Sequence, residues 1–414
     1  MEYYSESEVL TYIAENDVKF IKLFFTDIFG TIKSISIQPC ELKRAFKTGI
    51  SFDASAVKGF LGVDQSDLFL VPDPSTLSVL PWRPQHGRVV RFYCNIRYPD
   101  GKPFEGDTRK ILQDVVEDAA KKGYDINVGT ECEFYLFELD EKGNPTNIPH
   151  DNAGYCDLAP LDKGENVRRD ICLTLEQMGI QPEVSHHETG PGQHEVDFVY
   201  DSPLRAADNL ATFKTVVKTV AARNGLDANF MGKPLLGQPG NGLHINISIE
   251  KDGKNLFAGL ASEAESFIAG VLNRIREITA FTNPSSNSYQ RFGQHEAPLY
   301  IGWSRGNRSQ LVRIPLTSDE SRNRMEIRSP DPSCNQYAAL ALILAAGFEG
   351  IGKNLKLMPE MTINTYKADV NELKDLQTLP QSLPEAIRLA KASDFVRKVL
   401  PEVTLNAFVE AENI

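Results

Sequence analysis

The segment NVGTECEFYLF, residues 127–137, is the stretch that indicates the fold class most directly. Alternate residues of a strand share one face of a sheet, so Glu131 and Glu133 lie together, with apolar side chains on the opposite face. This alternation predicts a strand that packs one face against a core. Two like charges at neighbouring same-face positions are mildly destabilising, so the glutamate pair suggests a bound cation.

Three further segments show polar residues along one face of a strand: GLHINISIE (242–250), RMEIRSP (324–330) and VSHHETGPGQHEVDF (184–198). They supply His244, Glu326 and two glutamates, Glu188 and Glu195, on either side of a Gly-Pro-Gly turn. An ordinary half-solvated sheet explains each segment alone. Together, carboxylates with an imidazole suit Mg²⁺ or Mn²⁺, whereas zinc more often recruits cysteine or several histidines. The pattern alone leaves both interpretations open.

Arginines accompany these segments. NSYQRFGQHEAP (287–298) supplies Arg291 and Glu296, and NRSQLVRIP (307–315) supplies Arg308 and Arg313. Surface charge is the simple interpretation. Arginine beside apolar strand residues also suits bidentate contacts with carboxylate and phosphate groups. No Walker-type or Rossmann glycine loop is present in the sequence, so any nucleotide is held by other means.

Composition is that of an ordinary globular protein. The chain has 414 residues, of which 41% are hydrophobic and 24% charged, and it carries a net charge of −12. The acidic balance argues against nucleic-acid or membrane partners, because binding to phosphates needs a basic face. Six scattered cysteines and the lack of a secretory signal at the start predict reduced thiols and a cytoplasmic location.

Two domains are expected at this length. Strand-like runs dominate the first hundred residues, and a helix is predicted to begin at Asp107 and to end at Gly123. We therefore predict domains at residues 1–104 and 105–414. Strands and helices then mix without strict alternation, which predicts an α+β fold whose catalytic domain packs helices on a mainly antiparallel sheet.

Seven motifs, in order along nearly the whole chain, carry a more specific signal: FDASAVKG, GTECEFYLF, HHETGPGQHE, KPLLGQPGNGLHINIS, NSYQRFGQHEAP, NRSQLVRIP and RMEIRSPDPSCNQY. The set resembles the bacterial type I glutamine synthetases, which are glutamate–ammonia ligases. The resemblance implies a small N-terminal β-grasp domain before the catalytic domain. It also implies hexameric rings, paired as a dodecamer, with active sites between neighbouring subunits.

The implied reaction joins ammonia to the γ-carboxylate of L-glutamate through γ-glutamyl phosphate, giving glutamine, ADP and phosphate from ATP. It implies two or more Mg²⁺ or Mn²⁺ ions per site. The metal nearer the glutamate and ammonium would be held by Glu133, Glu188 and Glu195. The metal that orients the ATP phosphates would be held by Glu131, His244 and Glu326.

The resemblance also implies the remaining site residues. The substrate glutamate would contact Arg291, Arg328 and the backbone at Gly240. The phosphates and the transferring group would face three arginines, with two further residues along the nucleotide: Arg308, Arg313, Arg324, Ser248 and Tyr200. The ammonium pocket would be shaped by Asp53 and Tyr155 and closed by Glu296, on a flap between Arg291 and Glu296. The catalytic roles would fall to Asp53, Glu296 and Arg308.

Several positions depart from the family's pattern. Ala56 stands where serine is frequent, Pro239 replaces an asparagine, and Asn246 replaces the second histidine of a His-x-His pair. The flap is one residue shorter than usual. Each change is expected to shift affinity or amine choice. Lys356 stands where regulated members carry an adenylylated tyrosine, so we expect no control at that position.

Two alternatives remain at this point. The first is a γ-glutamyl-amine ligase that uses a polyamine or alkylamine, and the second is a catalytically inactive structural protein on the same fold. Retention of Asp53 and Glu296 favours ammonia over a larger amine. The presence of all six expected metal ligands argues against an inactive protein.

Overall fold

The structure, a computed structural model, describes residues 4–83 and 86–411. The chain divides into two compact units. The first comprises Met1–Gln113, Leu173–Ile180 and Leu400–Ile414, and the second comprises Asp114–Cys172 and Gln181–Val399. Within the described residues, no helix has both the length and the apolar character needed to cross a membrane.

Helices and strands follow one another along the whole chain. The helices are α1 (Glu6–Glu15), α2 (Leu42–Thr48), α3 (Thr108–Ala120), α4 (Glu165–Gln177), α5 (Pro203–Arg223), α6 (Ser262–Thr282), α7 (Gln336–Lys353), α8 (Val370–Leu373), α9 (Leu383–Ala392), α10 (Asp394–Val399) and α11 (Glu402–Ala411). The strands are β1 (Val18–Thr26), β2 (Ile32–Ile37), β3 (Ile50–Asp53), β4 (Asp67–Pro72), β5 (Ser78–Val79), β6 (Arg88–Arg97), β7 (Tyr124–Leu139), β8 (Pro145–Pro149), β9 (Pro182–His187), β10 (Gln193–Phe198), β11 (Leu226–Asn229), β12 (Leu243–Lys251), β13 (Lys254–Asn255), β14 (Trp303–Arg305), β15 (Val312–Ile314) and β16 (Met325–Ile327).

The first unit is built on a sheet of order β2-β1-β6-β4-β3, with β5 paired to β6. β1 and β6 run parallel at its centre, and the other pairs are antiparallel. Side chains that alternate along the central strands are fully buried, among them Ile21, Leu23, Val90 and Phe92. Burial of such side chains is the main stabilising term for a sheet with one covered face.

Helix α3 begins where the sequence predicts. The Asp107 carboxylate accepts a hydrogen bond from the backbone N–H of Arg109 at 3.1 Å, and a second backbone N–H donates to it from Lys110. These bonds satisfy two of the donors that the first turn of a helix leaves without intrahelical partners. The predicted N-cap is confirmed.

The second unit contains a larger sheet of order β14-β15-β16-β12-β7-β10-β9. β11 and β8 also pair with β7, and β13 pairs with β12. Within this sheet, β14–β15 is the one parallel pair that the described residues form, which confirms the predicted mainly antiparallel sheet. The sixteen-residue strand β7 is central, because β12 and β10 flank it on opposite edges.

The predicted buried helix over residues 337–348 is part of α7, which packs against α6. The two helices approach most closely at Gly270 and Gly350. A Cβ added at Gly270 would lie 2.2 Å from the carbonyl oxygen of Ala346, and one at Gly350 would lie 2.1 Å from that of Ser266. Glycine is therefore required at this crossing.

Candidate active site

The register of the second sheet collects the predicted ligands on one face. His244 of β12 pairs directly with Glu131 of β7, and Glu195 of β10 pairs with Glu133. Directly opposite residues in an antiparallel pair point to the same side, with Cβ atoms about 5 Å apart. Glu326 of β16 pairs in turn with Asn246, the same-face neighbour of His244. Four strands thus bring separate sequence segments to one surface.

A cavity of about 730 Å³ opens over this surface. All of its lining residues belong to the second unit. Five of the six predicted metal ligands line it, together with Tyr155, Gly240, Glu296 and the arginines 291, 308, 313, 324 and 328. The sixth, Glu326, is completely buried beside it, with a carboxylate oxygen 3.8 Å from His244 Nδ1.

Two groups of ligand atoms converge there and share His244. Within each group the atoms lie within 4.8 Å of one another: Glu131, His244 and Glu326 form the first, and Glu133, Glu195 and His244 form the second. A third group, adjoining the second through Glu195, adds His186 and Glu188. Carboxylate oxygens with one imidazole form a donor set that Mg²⁺ and Mn²⁺ accept.

Carboxylates crowd together on the acidic side of the cavity, where burial and neighbouring negative charge raise their pKa values. Burial raises the pKa of Glu188 to about 7, and the neighbouring Glu133 carboxylate adds to the effect. Burial and the same neighbour raise the pKa of Glu195 well above its ordinary value. The pKa of Asp197 is raised to about 9 by burial and by the Glu195 carboxylate. A divalent cation would balance this negative charge, so the residues fit a metal.

On the opposite side of the cavity, neighbouring positive groups balance the charge of the carboxylates. Burial would raise the pKa of Glu131, but the hydrogen bond and charge of His244 outweigh it and lower the pKa to about 2. Burial also opposes ionisation of Glu326, but the Arg328 guanidinium, the His244 imidazole and the Arg313 guanidinium together outweigh it and lower the pKa. Both oxygens of Glu326 accept guanidinium bonds, at 2.6 Å from Arg328 and 2.5 Å from Arg313.

Arg291 and Arg328 are both almost fully buried at the cavity wall. Arg291 donates to the backbone carbonyls of residues 328, 329 and 330, at 3.0–3.1 Å. It therefore fixes the chain that carries Arg328. The flap residue Glu296 reaches Arg328, with 3.7 Å between a carboxylate oxygen and a guanidinium nitrogen. Glu296 and its neighbour His295 both have positive φ, a conformation that a non-glycine residue adopts only where neighbouring structure enforces it.

Besides Glu326, three predicted site residues lie outside the cavity lining. Asp53 belongs to the first unit, where its carboxylate caps a turn by accepting the N–H of Ser55. Ser248 lies further along β12, opposite Asn127. Tyr200 is 59% exposed on the second unit.

Sequence reasoning gave no role to several residues that line the cavity, chiefly His186, Gln193 and Asp197. A signal was present, since residues 193, 195 and 197 alternate along β10 and so share the face of Glu195. The position of His186 opposite Glu195 depends on the β9–β10 register, which no local pattern gives.

Comparisons with known proteins agree with this site. The family model for the glutamine synthetase β-grasp domain matches residues 17–99, and the model for the catalytic domain matches residues 105–414. Glutamine synthetase of Clostridium saccharobutylicum is 45% identical over 98% of this chain and 94% of its own. Glutamine synthetase of Methanosarcina mazei is also 45% identical, over 99% of this chain and 94% of its own.

Among solved structures, a GmaS/ADP complex superposes with a TM-score of 0.88 at 29% identity, covering 98% of this chain and 94% of GmaS. The predicted combination of an N-terminal β-grasp domain and an α+β catalytic domain is confirmed. The matches extend over both parts of the chain, and the cavity lies in the part that the catalytic model covers. The chain belongs to the glutamine synthetase family.

Proposed function

We propose that this protein ligates ammonia to the γ-carboxylate of L-glutamate at the expense of ATP, releasing glutamine, ADP and phosphate. The observation that carries the proposal is the cavity itself, which is lined by carboxylate-rich groups around His244 and by five arginines. A carboxylate is a poor electrophile and must be activated, and phosphoryl transfer needs positive charge on both sides of the moving group. The names of the relatives agree.

In the first step, an oxygen of the γ-carboxylate attacks the γ-phosphorus of ATP, and the bond to the bridging oxygen of ADP breaks. Arg308, Arg313 and Arg324 line the cavity and would neutralise charge on the transferred phosphoryl group. Bound divalent metals, Mg²⁺ or Mn²⁺, would polarise the phosphates. Arg291 and Arg328 would hold the glutamate with the Gly240 backbone, while Ser248 and Tyr200 would flank the nucleotide.

In the second step, ammonia attacks the activated carbonyl carbon, and the C–O bond to phosphate breaks with its electron pair. Ammonium must first bind and lose a proton, which needs nearby carboxylates. Glu188 and Glu296 would supply two, with Tyr155 beside them. Asp53 would supply a third from the neighbouring subunit of a hexameric ring. Closure of the flap would exclude water, which otherwise hydrolyses the acyl phosphate.

The proposal includes the finer assignments. The subtype is bacterial type I, the domains divide at residues 104 and 105, the location is cytoplasmic, and the rings pair as a dodecamer. The predicted metal set is Glu133, Glu188 and Glu195 for one ion, and Glu131, His244 and Glu326 for the other. Light scattering tests the assembly, and an active monomer would contradict a site shared between subunits.

A second candidate is a γ-glutamyl-amine ligase. Tyr155 is 61% exposed and the Glu296 side chain is 65% exposed, so the ammonium end of the cavity is open in the single chain. Ala56 and the short flap would also leave space for an alkyl group. Both candidates share the first step and differ only in the amine.

The test is a reconstitution with purified protein. We expect glutamine, ADP and phosphate in equal amounts when ATP, glutamate, ammonium and Mg²⁺ or Mn²⁺ are all present, and no glutamine when any one is left out. ATP cleavage without amide formation, with either metal, would contradict the proposal.

A further inference from the structure

Each glutamate of the β7 pair is held by its own side-chain amide from a flanking strand. Asn246 Nδ2 donates to Glu131 Oε1 at 2.8 Å, and Gln193 Nε2 donates to Glu133 Oε2 at 3.2 Å. Both amides are buried, with 7% and 1% of their surface exposed. A hydrogen bond from an amide to an ionised carboxylate is charge-assisted and fixes the direction of the carboxylate.

Gln193 connects Glu133 to the loop that carries Gly240. Its Nε2 lies 3.1 Å from the carbonyl oxygen of Gly240 and 3.1 Å from Asn241 Oδ1. Its Oε1 accepts the backbone N–H of Gly190 at 3.0 Å, which fixes the orientation of the amide. One amide group thus links a proposed metal ligand to the backbone of the proposed glutamate site.

Asn246 connects Glu131 to an arginine instead. Its Oδ1 accepts the Nε–H of Arg324 at 2.8 Å, while its Nδ2 donates to Glu131. A neutral amide can donate to an anion through its nitrogen and accept from a cation through its oxygen at once. Asn246 itself does not line the cavity, so it can act only through these two neighbours.

We propose that Gln193 and Asn246 are positioning residues that couple the two metals to different substrates. Gln193 would tie the metal held by Glu133 to glutamate binding, and Asn246 would tie the metal held by Glu131 to the phosphates that Arg324 faces. The inference rests on the proposed function. Outer hydrogen bonds of this kind typically change metal affinity or activity about 10- to 100-fold when removed.

The test uses two near-isosteric variants, Gln193→Met and Asn246→Leu, which keep volume and remove the hydrogen bonds. Gln336→Met is the matched control, because Gln336 is a buried amide of α7 whose side-chain atoms find no hydrogen-bond partner in the part of the chain that the structure describes. Free Mn²⁺ counted by electron paramagnetic resonance gives metal affinity, calorimetry gives ADP affinity, and steady-state kinetics give KM for glutamate and for ATP.

We expect each of the two substitutions to lower the affinity for one of two bound Mn²⁺ ions about tenfold. Gln193→Met should raise KM for glutamate while ADP affinity stays within about twofold of wild type, and Asn246→Leu should do the reverse. Gln336→Met should change neither. Gln193→Glu and Asn246→Asp keep a hydrogen-bond acceptor but place a second carboxylate beside Glu133 or Glu131. Each should therefore weaken binding of the same substrate more than the apolar variant at that position does.

The coupling would be overturned if both variants changed KM for glutamate and ADP affinity equally, or if neither variant changed either quantity. The direct titrations keep this separate from the reaction itself. A wild-type protein that binds Mn²⁺ and ADP but forms no glutamine would refute the proposed function, and the metal and ADP titrations of the variants would still decide the coupling.

Discussion

Replacing Glu195 by glutamine should stabilise the metal-free protein while weakening metal binding. Glu195 is 7% exposed and lies among the carboxylates of Glu131, Glu133 and Glu188. The imidazole Nε2 of His186 lies 3.4 Å from its carboxylate oxygen. Without a cation, the folded protein must therefore keep this carboxyl protonated or accept buried like charges.

The magnitude follows from the pKa. Keeping a carboxyl with an ordinary pKa of 4.5 protonated at pH 7 costs at most about 3.5 kcal/mol, at about 1.4 kcal/mol for each pH unit between the two. Because burial and neighbouring carboxylates raise the folded pKa, the contribution of Glu195 to the stability of the metal-free protein is greatest below pH 4.5 and falls as the pH rises above it. Glutamine binds no proton and avoids that loss, so the advantage of Glu195→Gln should grow up to pH 7.

The assay is urea denaturation at pH 7 in EDTA and in Mn²⁺. In EDTA, Glu195→Gln should unfold at higher urea than wild type. In Mn²⁺ the order should reverse, since a ligand that binds only the folded state stabilises the tighter binder more. Glu183→Gln, on the exposed part of β9, is the control and should match wild type in both. Equal midpoints in EDTA, or equal stabilisation by Mn²⁺, would refute the reasoning.

Three further predictions follow from the site and its support. Chelation should abolish glutamine formation, and Glu131→Ala should be inactive yet folded by circular dichroism; full activity after chelation would remove the metal assignment. Arg328→Lys should lower kcat/KM for glutamate, with a loss of about 1.5–3 kcal/mol in transition-state binding, because lysine cannot make the paired guanidinium bonds. An unchanged kcat/KM would exclude Arg328 from the site. Arg274 donates two bonds to Glu349, at 2.7 and 3.1 Å, and lowers its pKa to about 2. Glu349→Gln should therefore cost about 1 kcal/mol in urea denaturation at pH 7, with the difference shrinking as the pH falls from 4.5 towards 2; a pH-independent difference would contradict the ion pair.

Local patterns in the sequence were sufficient to predict several helices and strands and to predict which residues share one face of a strand. The period of two in residues 127–137 placed Glu131 and Glu133 together, and the N-cap at Asp107 located the start of α3. Both depend only on neighbours along the chain, so one sequence suffices to predict them.

Such patterns could not predict the pairing register between strands that are distant in sequence. The pairing of β12 and β10 with β7 sets His244 opposite Glu131 and Glu195 opposite Glu133. It depends on packing over the whole sheet, since a slip by one residue would turn each side chain to the other face. The burial of Glu326 between two arginines and the amide links through Gln193 and Asn246 have the same origin.

Amine choice tests the central claim most directly. The protein is given ATP, glutamate, Mg²⁺ and equal concentrations of ammonium and methylamine or ethylamine, and the amide products are separated by mass spectrometry. An ammonium pocket enclosed by Asp53, Glu188 and Glu296 should favour glutamine at least about tenfold, a difference of about 1.4 kcal/mol in barrier. If an alkylamide forms faster than glutamine, the assignment as an ammonia ligase is wrong, and the γ-glutamyl-amine ligase replaces it.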